Sequence, residues 1–599
     1  MNRKKDNLMK PQWFNQILLW REKHISEKVF VIFLAFVVGI LTAFAAILLK
    51  LTIHAIQEFW IGKSIHHNYL YLILPPVGIF ITAMFVKYIV RDDISHGVTK
   101  VLSAIAQRKS RIKPRNMWAS LAASSITIGF GGSVGAESPI IYTGSAVGSN
   151  VGRLFRLEQK TLMLLVGCGA AGALAGIYKA PITGLVFVIE VLLMDLTMAS
   201  ILPLLVSSVT SASVAYMING SEAMFKFIQT DSFTMERIPY ALVLGILCGL
   251  ISLYFSKVMF LIEGKLKSMK SYTKKFLISG AILSLLIFLF PPLYGEGYVT
   301  IDYLIDGNYS KLLEGSLISG MSDSYWVVFA FLAFALLAKV YASVSTNSGG
   351  GCGGLFAPSL FVGGLTGFLF STAINYFNII NLPSRNFTLM GMAGVMAGVM
   401  HAPLTGVFLI AELTGGYNLF LPLMLVCISS FATIRVFMPH SIYSLRLAEE
   451  GKLLTHQKDK SVLRLMNVNS VIETEFECVK PEMTLGDMVQ VIGRSKRNVF
   501  PVIDDDRVLM GVVLLDNIRN IMFRPELYNR FRVERFMVSP PAKLYDTMSM
   551  EEIMHIFDDT HAWNLPVVDS EGRYLGFISK SNVFNNYRTV LVDTFEGDE

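Results

Sequence analysis

The sequence predicts a multi-pass α-helical membrane protein with two internally related halves and broken helices, followed by a cytosolic α/β tail made of two repeats. Composition is the first reason. Hydrophobic residues make up 53% of the chain, charged residues only 16%, and the mean hydropathy is +0.52. Soluble globular chains carry about 25% charged residues. Long uncharged runs are the second reason. Self-similarity at two fixed offsets, one in each part of the chain, is the third.

Residues 1–28 begin with the basic MNRKK and read as a cytosolic segment. Residues 29–49 (VFVIFLAFVVGILTAFAAILL) hold no charge. At roughly 20 residues such a run can span a bilayer, and it is too long and too far from Met1 for a cleavable signal. Similar runs lie near 69–86, 200–218, 239–255, 276–292, 325–338, 355–380 and 418–434. The formal net charge of +7 gathers at 1–5, 108–115 and 265–275, without interleaved aromatics. This pattern reads as cytoplasmic loops and argues against nucleic-acid binding. Cys168, Cys248, Cys352, Cys427 and Cys478 are scattered and never spaced CxxC, so no disulfide framework or zinc site is expected.

The composition divides the chain into a membrane domain at 29–445, a charged linker at 446–465, and two tail units at 466–525 and 530–595. In the membrane domain, AGALAGIYKAPITGLVFVIE (171–190) aligns with AGVMAGVMHAPLTGVFLIAE (393–412), 222 positions further on. GGSVGAESPIIYTG (131–144) aligns with GGCGGLFAPSLFVG (350–363). Transporters are often built from repeats inverted across the membrane, with their sites where Gly/Pro-interrupted segments meet. Inverted halves are therefore expected, with a permeation site at 131–139 and 350–358. Broken backbone at membrane depth must line a cavity or be buried in protein.

The chemistry of these loops suits an anion. A glycine-rich loop entering a helix leaves unpaired N–H groups, and the helix dipole favours negative charge. Leu355 and Phe356 would offer such donors without a fixed positive charge, which suits an ion that must bind and leave. Glu137 places a carboxylate where the anion belongs. A charge at the bilayer centre costs about 2.5–3.5 kcal/mol even on mild scales, and an intramembrane carboxylate is functional by default. Glu137 reads as a tethered competitor that blocks when ionised and swings out when neutral. The plainer alternative is a carboxylate that only satisfies backbone donors.

Four stretches carry a family resemblance. GAESP (135–139) resembles the G-(K/R)-E-G-P motif of the CLC family of chloride channels and chloride/proton antiporters. GGLFAP (353–358) resembles its G-x-F-x-P motif, SHGVTKVL (95–102) its G-S-G-I-P segment, and SIYSL (441–445) the segment of its pore tyrosine. The tail units resemble CBS domains, and the resemblance runs from about residue 30 to 595. It implies that Glu137 is the external gate. It also implies an anion site of His96, Gly97, Gly135, Gly354, Leu355, Phe356 and Tyr443, with backbone N–H groups and the Tyr443 hydroxyl as neutral donors. His96 stands where the family often has a serine. Its side chain either tunes the pH response or turns away from the pore.

The departures set the finer expectations. Ala136 and Ser138 replace the basic residue and the glycine that flank the gate in the family motif, which weakens anion attraction at the outer mouth. Val191 follows Glu190 where proton-coupled members carry a second glutamate, and valine cannot carry a proton. A passive chloride channel is therefore favoured, with a chloride/proton antiporter and a fluoride-selective relative as alternatives. The retained Tyr443 argues against fluoride. Glu190 reads as structural, near a helix or subunit contact. A CBS-containing divalent-cation transporter would need clustered carboxylates, but Glu137, Glu190, Asp195 and Glu412 are dispersed. No nucleophile–base pair suggests an enzyme, and no cofactor is required. The resemblance further implies a homodimer in the plasma (inner) membrane, with the N-terminus and tail cytoplasmic.

In the tail, Thr484-x-x-Asp487 and Ser549-x-x-Glu552 have the spacing of capping boxes, 65 positions apart. The CBS resemblance implies a pattern for an adenine nucleotide, met by Gly576, Ser579 and Asn582 in GFISKSN. The first unit has Leu514 in place of the hydroxyl, so at most one site is expected. The alternative is a tail that only stabilises a dimer, because fold alone does not give function.

Overall fold

The computed structural model describes residues 20–21, 23–64, 70–107, 110–194, 198–220, 222, 224–225, 233–319, 325–449, 463 and 466–591. The opening MNRKK, Asp195 and most of the linker lie outside them. The chain divides into two compact units, Met1–Leu453 and Leu454–Glu599.

The first unit is helical. In chain order it runs α1 (Glu27–Ser64), α2 (Leu70–Met84), α3 (Gly97–Gln107), α4 (Ala119–Gly129), α5 (Glu137–Leu154), α6 (Gln159–Tyr178), α7 (Pro181–Glu190) and α8 (Met198–Asn219). It continues with α9 (Ile238–Lys267), α10 (Tyr272–Leu289), α11 (Tyr298–Asp306), α12 (Tyr325–Ser348), α13 (Phe356–Tyr376), α14 (Ser384–Met400), α15 (Pro403–Leu413), α16 (Phe420–Phe437) and α17 (Leu445–Glu449). Among the described residues nine helical stretches are long and apolar enough to cross a membrane. Eight of them overlap the runs read from the sequence. The ninth, Gln159–Tyr178, shows in the sequence only through its overlap with the repeat at 171–190. Its second half is Gly/Ala-rich and lies buried between neighbours, so it lacks the bulky apolar surface that marks a lipid-facing helix.

The two halves pack alike. A Cβ on Gly148 of α5 would stand 1.9 Å from the Leu165 carbonyl oxygen of α6, and one on Gly367 of α13 would stand 1.9 Å from the Phe387 carbonyl oxygen of α14. Only glycine lets these helix backbones approach so closely. Pro181 and Pro403 open the paired short helices α7 and α15 at the first turn, where no N–H is missed.

The second unit contains α18 (Leu485–Arg494), β1 (Val499–Ile503), β2 (Leu509–Leu514), α19 (Leu515–Ile518), β3 (Leu544–Tyr545), α20 (Met550–Thr560), β4 (Asn564–Val568), β5 (Tyr574–Ser579) and α21 (Lys580–Leu591). Both capping boxes form, at Thr484/Asp487 and Ser549/Glu552. The hairpins β1–β2 and β4–β5 are antiparallel and shift register at equivalent places, Val502/Ile503 and Val567/Val568. The repeats also exchange edges. Glu473, ahead of the first repeat's strands, pairs with Phe577 of the second, while Val538, ahead of the second, pairs with Val512 of the first. Met466, Val468 and Val471 accordingly pack with Leu544, Ile553 and Phe557, and Val533 packs with Val479, Met488 and Phe500. A boundary drawn in chain order thus cuts across two cores that are built from both repeats.

Candidate functional site

Two glycine-rich loops meet at the centre of the first unit. The loop before α5 starts with Gly131 at φ +92°, and the loop before α13 has its counterpart Gly350 at φ +112°. Only glycine adopts such angles freely. A side chain at Gly131 would also strike the Tyr294 ring, 2.1 Å from where its Cβ would lie. The loops are joined by a reciprocal pair of bonds. Gly135 N–H donates to the Gly354 carbonyl at 2.9 Å, and Gly354 N–H donates to the Gly135 carbonyl at 2.7 Å. The pairing is antiparallel, so the two repeats run in opposite directions there, as an inverted pair requires.

Helices α5 and α13 start at this junction, with Ala136 and Leu355 at the N-cap positions and no side-chain cap. Among the described residues no acceptor takes the N–H of Leu355 or Phe356. Unclaimed donors at a buried helix start favour negative charge. The start of α3 joins them. Val98 N–H donates to Ser138 Oγ at 3.2 Å, and a Cβ on Gly97 would lie 2.5 Å from the Ser138 carbonyl oxygen. Tyr443 is 5% exposed and lies within electrostatic range of Glu137. Its loop is tied to α14 by Ile442 N–H donating to the Val399 carbonyl at 3.5 Å.

Glu137 is 1% exposed. Its Oε1 accepts the Tyr178 hydroxyl and, at 2.6 Å, the Tyr298 hydroxyl. Its Oε2 is buried and has no partner among the described residues. A Cβ on Gly135 would lie 2.0 Å from that oxygen and 2.9 Å from Ala357 Cβ. The carboxylate therefore leans over the glycine junction, toward the start of α13. It does not cap the backbone of its own helix.

His96 precedes α3, and its carbonyl accepts the Lys100 N–H at 3.1 Å. Its ring reaches Glu263 on α9 at 3.2 Å. Glu263 also pairs with Lys267 at 2.9 Å and with Arg446 of α17. A cavity of about 90 Å³ is lined by Ser95, His96, Glu263, Lys267, Asn347 and Leu355 among others. The imidazole thus belongs to a charge cluster that shares this cavity with Leu355 at the start of α13.

Glu190 and Glu412 have a reciprocal role. Glu190 accepts the Leu404 N–H at 3.0 Å and the Thr405 N–H and hydroxyl at 2.7 Å each. Glu412 accepts the Ile182 N–H at 3.0 Å, the Thr183 N–H at 2.8 Å and the Thr183 hydroxyl at 2.6 Å. Each glutamate caps the other half's proline-started helix. Val191 follows α7 and is 4% exposed.

In the second unit, a cleft of about 1090 Å³ is lined by Glu473, Arg497, Asp516, Trp563, Ser579 and Asn582 among others. The Ser579 hydroxyl donates to Glu473 at 2.5 Å, Arg497 pairs with Glu473 at 2.7 Å, and the Asn582 amide donates to the Val471 carbonyl at 3.1 Å. Gly576 has a packing reason of its own, since a Cβ there would lie 2.6 Å from the Glu473 carbonyl oxygen. These side chains face the cleft, with their polar groups engaged by the segment exchanged from the first repeat.

Sequence reasoning missed Lys50, Tyr178, Glu263, Glu296, Tyr298 and Lys339. Two of them left a trace. Lys50 and Lys339 stand just past the apolar runs 29–49 and 325–338, which were cut at the charge rather than read through it. A lone charge inside a membrane helix is itself a functional signal.

Comparison with known proteins agrees with this geometry. The family model described as "Voltage gated chloride channel" matches residues 77–435, and the CBS domain model matches 468–524 and 533–588. A putative chloride channel protein ClcB-like of Ralstonia nicotianae is 27% identical over 387 residues, covering 63% of this chain and 85% of its own. An H(+)/Cl(-) exchange transporter ClcA of Vibrio parahaemolyticus is 27% identical over 431 residues, covering 69% and 88%. Among solved structures, a slow cyanobacterial Cl-/H+ antiporter matches with TM-score 0.61 at 19% identity, covering 70% of this chain and 97% of that one. A eukaryotic CLC transporter matches with TM-score 0.59 at 16% identity, covering 92% and 97%. With the family model spanning more than half of the residues and the paired glycine loops in place, this chain belongs to the CLC family of anion transporters and carries a C-terminal CBS pair.

Proposed function

We propose that the chain conducts chloride through a pore gated by Glu137. The observation that carries this reading is the Glu137 carboxylate leaning over Gly135, beside the unclaimed N–H groups of Leu355 and Phe356. An ionised carboxylate there competes with a permeant anion, and a neutral one releases the site. The anion site of this reading comprises His96, Gly97, Gly135, Gly354, Leu355, Phe356 and Tyr443. The protein acts as a homodimer with its tail in the cytoplasm, and an adenine nucleotide occupies the cleft at Gly576, Ser579 and Asn582.

The passive-channel form of this reading rests on Val191 and on Glu190, both of whose oxygens are held by α15. A second reading, chloride/proton exchange, is supported by the names of the Vibrio relatives and by the His96–Glu263 pair, a titratable couple beside Leu355. One measurement separates them: proton movement into liposomes driven by a chloride gradient, with voltage clamped by potassium and valinomycin. Chloride flux without proton uptake establishes the channel; uphill proton movement establishes exchange. In the same vesicles, Glu137→Gln is expected to leave flux high and flat with pH. A variant with wild-type flux and pH response would remove Glu137 from the gate.

A further inference from the structure

The short loop at 294–297, between α10 and α11, does more than connect helices. Glu296 reaches across to the gate loop, where its Oε1 accepts the Ala136 N–H at 3.1 Å. Ala136 is the residue before Glu137. The neighbouring Gly295 N–H donates to the Gly131 carbonyl at 3.3 Å. Two residues on, Tyr298 gives its hydroxyl to Glu137.

Two lysines complete the cluster. Lys339 on α12 is 0% exposed. Its ammonium donates to Ser133 Oγ at 2.9 Å and to the Gly295 carbonyl at 3.1 Å, so it clamps the gate loop to the Glu296 loop. It also lies 4.9 Å from the centre of the Phe361 ring. Lys50 on α1 lies 5.9 Å from the centre of the Tyr178 ring. A hydroxyl and a carbonyl solvate the Lys339 ammonium but do not neutralise it, and a buried charge without a counter-charge is expensive. Among the described residues, Glu137 and Glu296 are the carboxylates within electrostatic range of both lysines. Among the described residues, Tyr178 from α6 and Tyr298 from α11 touch the Glu137 carboxylate, and Lys50 from α1, Glu296 from the loop, Lys339 from α12 and Tyr443 before α17 lie within electrostatic range of it, with Lys179 within range of Lys50. Positive charge absent from position 136 arrives from two other helices.

We propose that Glu296 is a positioning residue of the gate: its bond to the Ala136 N–H, with Lys339 clamping Gly295 to Ser133, holds the gate loop in the register from which Glu137 closes the pore. The proposal rests on Glu137 being the gate.

The test is chloride efflux from liposomes carrying the full-length protein, from about pH 4 to about pH 8, against a Glu137→Gln control. Glu296→Ala removes the acceptor of the Ala136 N–H, so efflux at neutral pH is expected to rise several-fold and its pH dependence to weaken, while Glu296→Gln keeps an oxygen for that N–H and is expected to restore the wild-type profile. Lys339→Met opens the clamp between Ser133 and Gly295, is expected to act in the same direction, and serves if Glu296→Ala does not fold. If Glu137→Gln flattens the profile while Glu296→Ala keeps that of the wild type, or Glu296→Gln is altered as much as Glu296→Ala, the proposal is wrong and the gate stands. If Glu137→Gln leaves the profile unchanged, the gate reading falls and the proposal with it.

Discussion

Glu190 holds Thr405 by both its backbone N–H and its hydroxyl, each at 2.7 Å. Glu412 holds Thr183 in the same way from the opposite half. Proline-started helices lack one donor and expose the rest of their first turn, and each half supplies the carboxylate that the other needs. The two membrane repeats are therefore joined by charge-assisted bonds at both ends of one reciprocal contact.

That reciprocity predicts matched losses. Glu190→Ala and Glu412→Ala each strip an acceptor from two N–H groups and a hydroxyl, and each should cost at least about 2 kcal/mol. Thermal unfolding in detergent should show similar drops in Tm for the two variants. Thr405→Val combined with Glu190→Ala should be less than additive, because both members of one contact are gone. A large drop for one glutamate and none for the other would contradict the pairing.

Gly135→Ala tests the position of the gate. The new methyl group would lie 2.0 Å from Glu137 Oε2 and 2.9 Å from Ala357 Cβ, so the carboxylate must leave that place. A penalty of about 1.4 kcal/mol already shifts a population tenfold. Chloride flux at neutral pH should rise by about that factor, and its pH dependence should weaken. Adding Glu137→Gln should then change little further. Unaltered flux in a folded Gly135→Ala protein would mean that the carboxylate does not act from this position.

The tail gives a prediction with a definite sign. Asp487 is held below the usual carboxylate range by the Thr484 hydroxyl and backbone N–H, and Glu552 is held low by the Ser549 backbone N–H and hydroxyl. A depressed carboxylate contributes stability that is present above its unfolded value, about 3.9 for Asp and 4.3 for Glu, and is lost as the pH falls through its folded value. Hydrogen exchange over 485–494 and 550–560 in the full chain, corrected for intrinsic rate, should therefore accelerate as the solution is taken below about pH 4. In Asp487→Asn and Glu552→Gln the corresponding helix should exchange faster at neutral pH and respond less to acid.

Much of the membrane unit was legible in the sequence because bilayer constraints act locally. A run must be apolar and long enough by itself, so eight spans were visible as strings. Gln159–Tyr178 was not, because a helix enclosed by other helices trades bulk for glycine and alanine. The loops at Gly131–Gly135 and Gly350–Gly354 were legible for a related reason: their backbone requires glycine wherever the rest of the chain lies. The capping boxes formed as read, since three-residue spacing on a helix start needs no distant partner. The repeat match of Glu190 with Glu412 points to a structural role, and Glu190 is engaged as a cap, but its partner Thr405 is 215 positions away and only the fold identifies it.

Sequence alone determined that this is a repeated membrane protein, that two glycine loops correspond across its halves, and that Glu137 is the carboxylate that follows the first of them. Tertiary structure decided what surrounds that carboxylate. Tyr178, Tyr298, Glu296, Lys50 and Lys339 come from separate segments spread from α1 to α12; the two lysines show as lone charges at the ends of apolar runs, but no local pattern places any of the five beside Glu137. It also decided that the tail repeats exchange edges, pairing Glu473 with Phe577 and Val538 with Val512. Periodicity, glycine angles and caps are short-range physics and are written in neighbouring residues. Charge balance in a low-dielectric interior depends on which distant groups are brought within a few ångströms, and that is set only when the chain has packed.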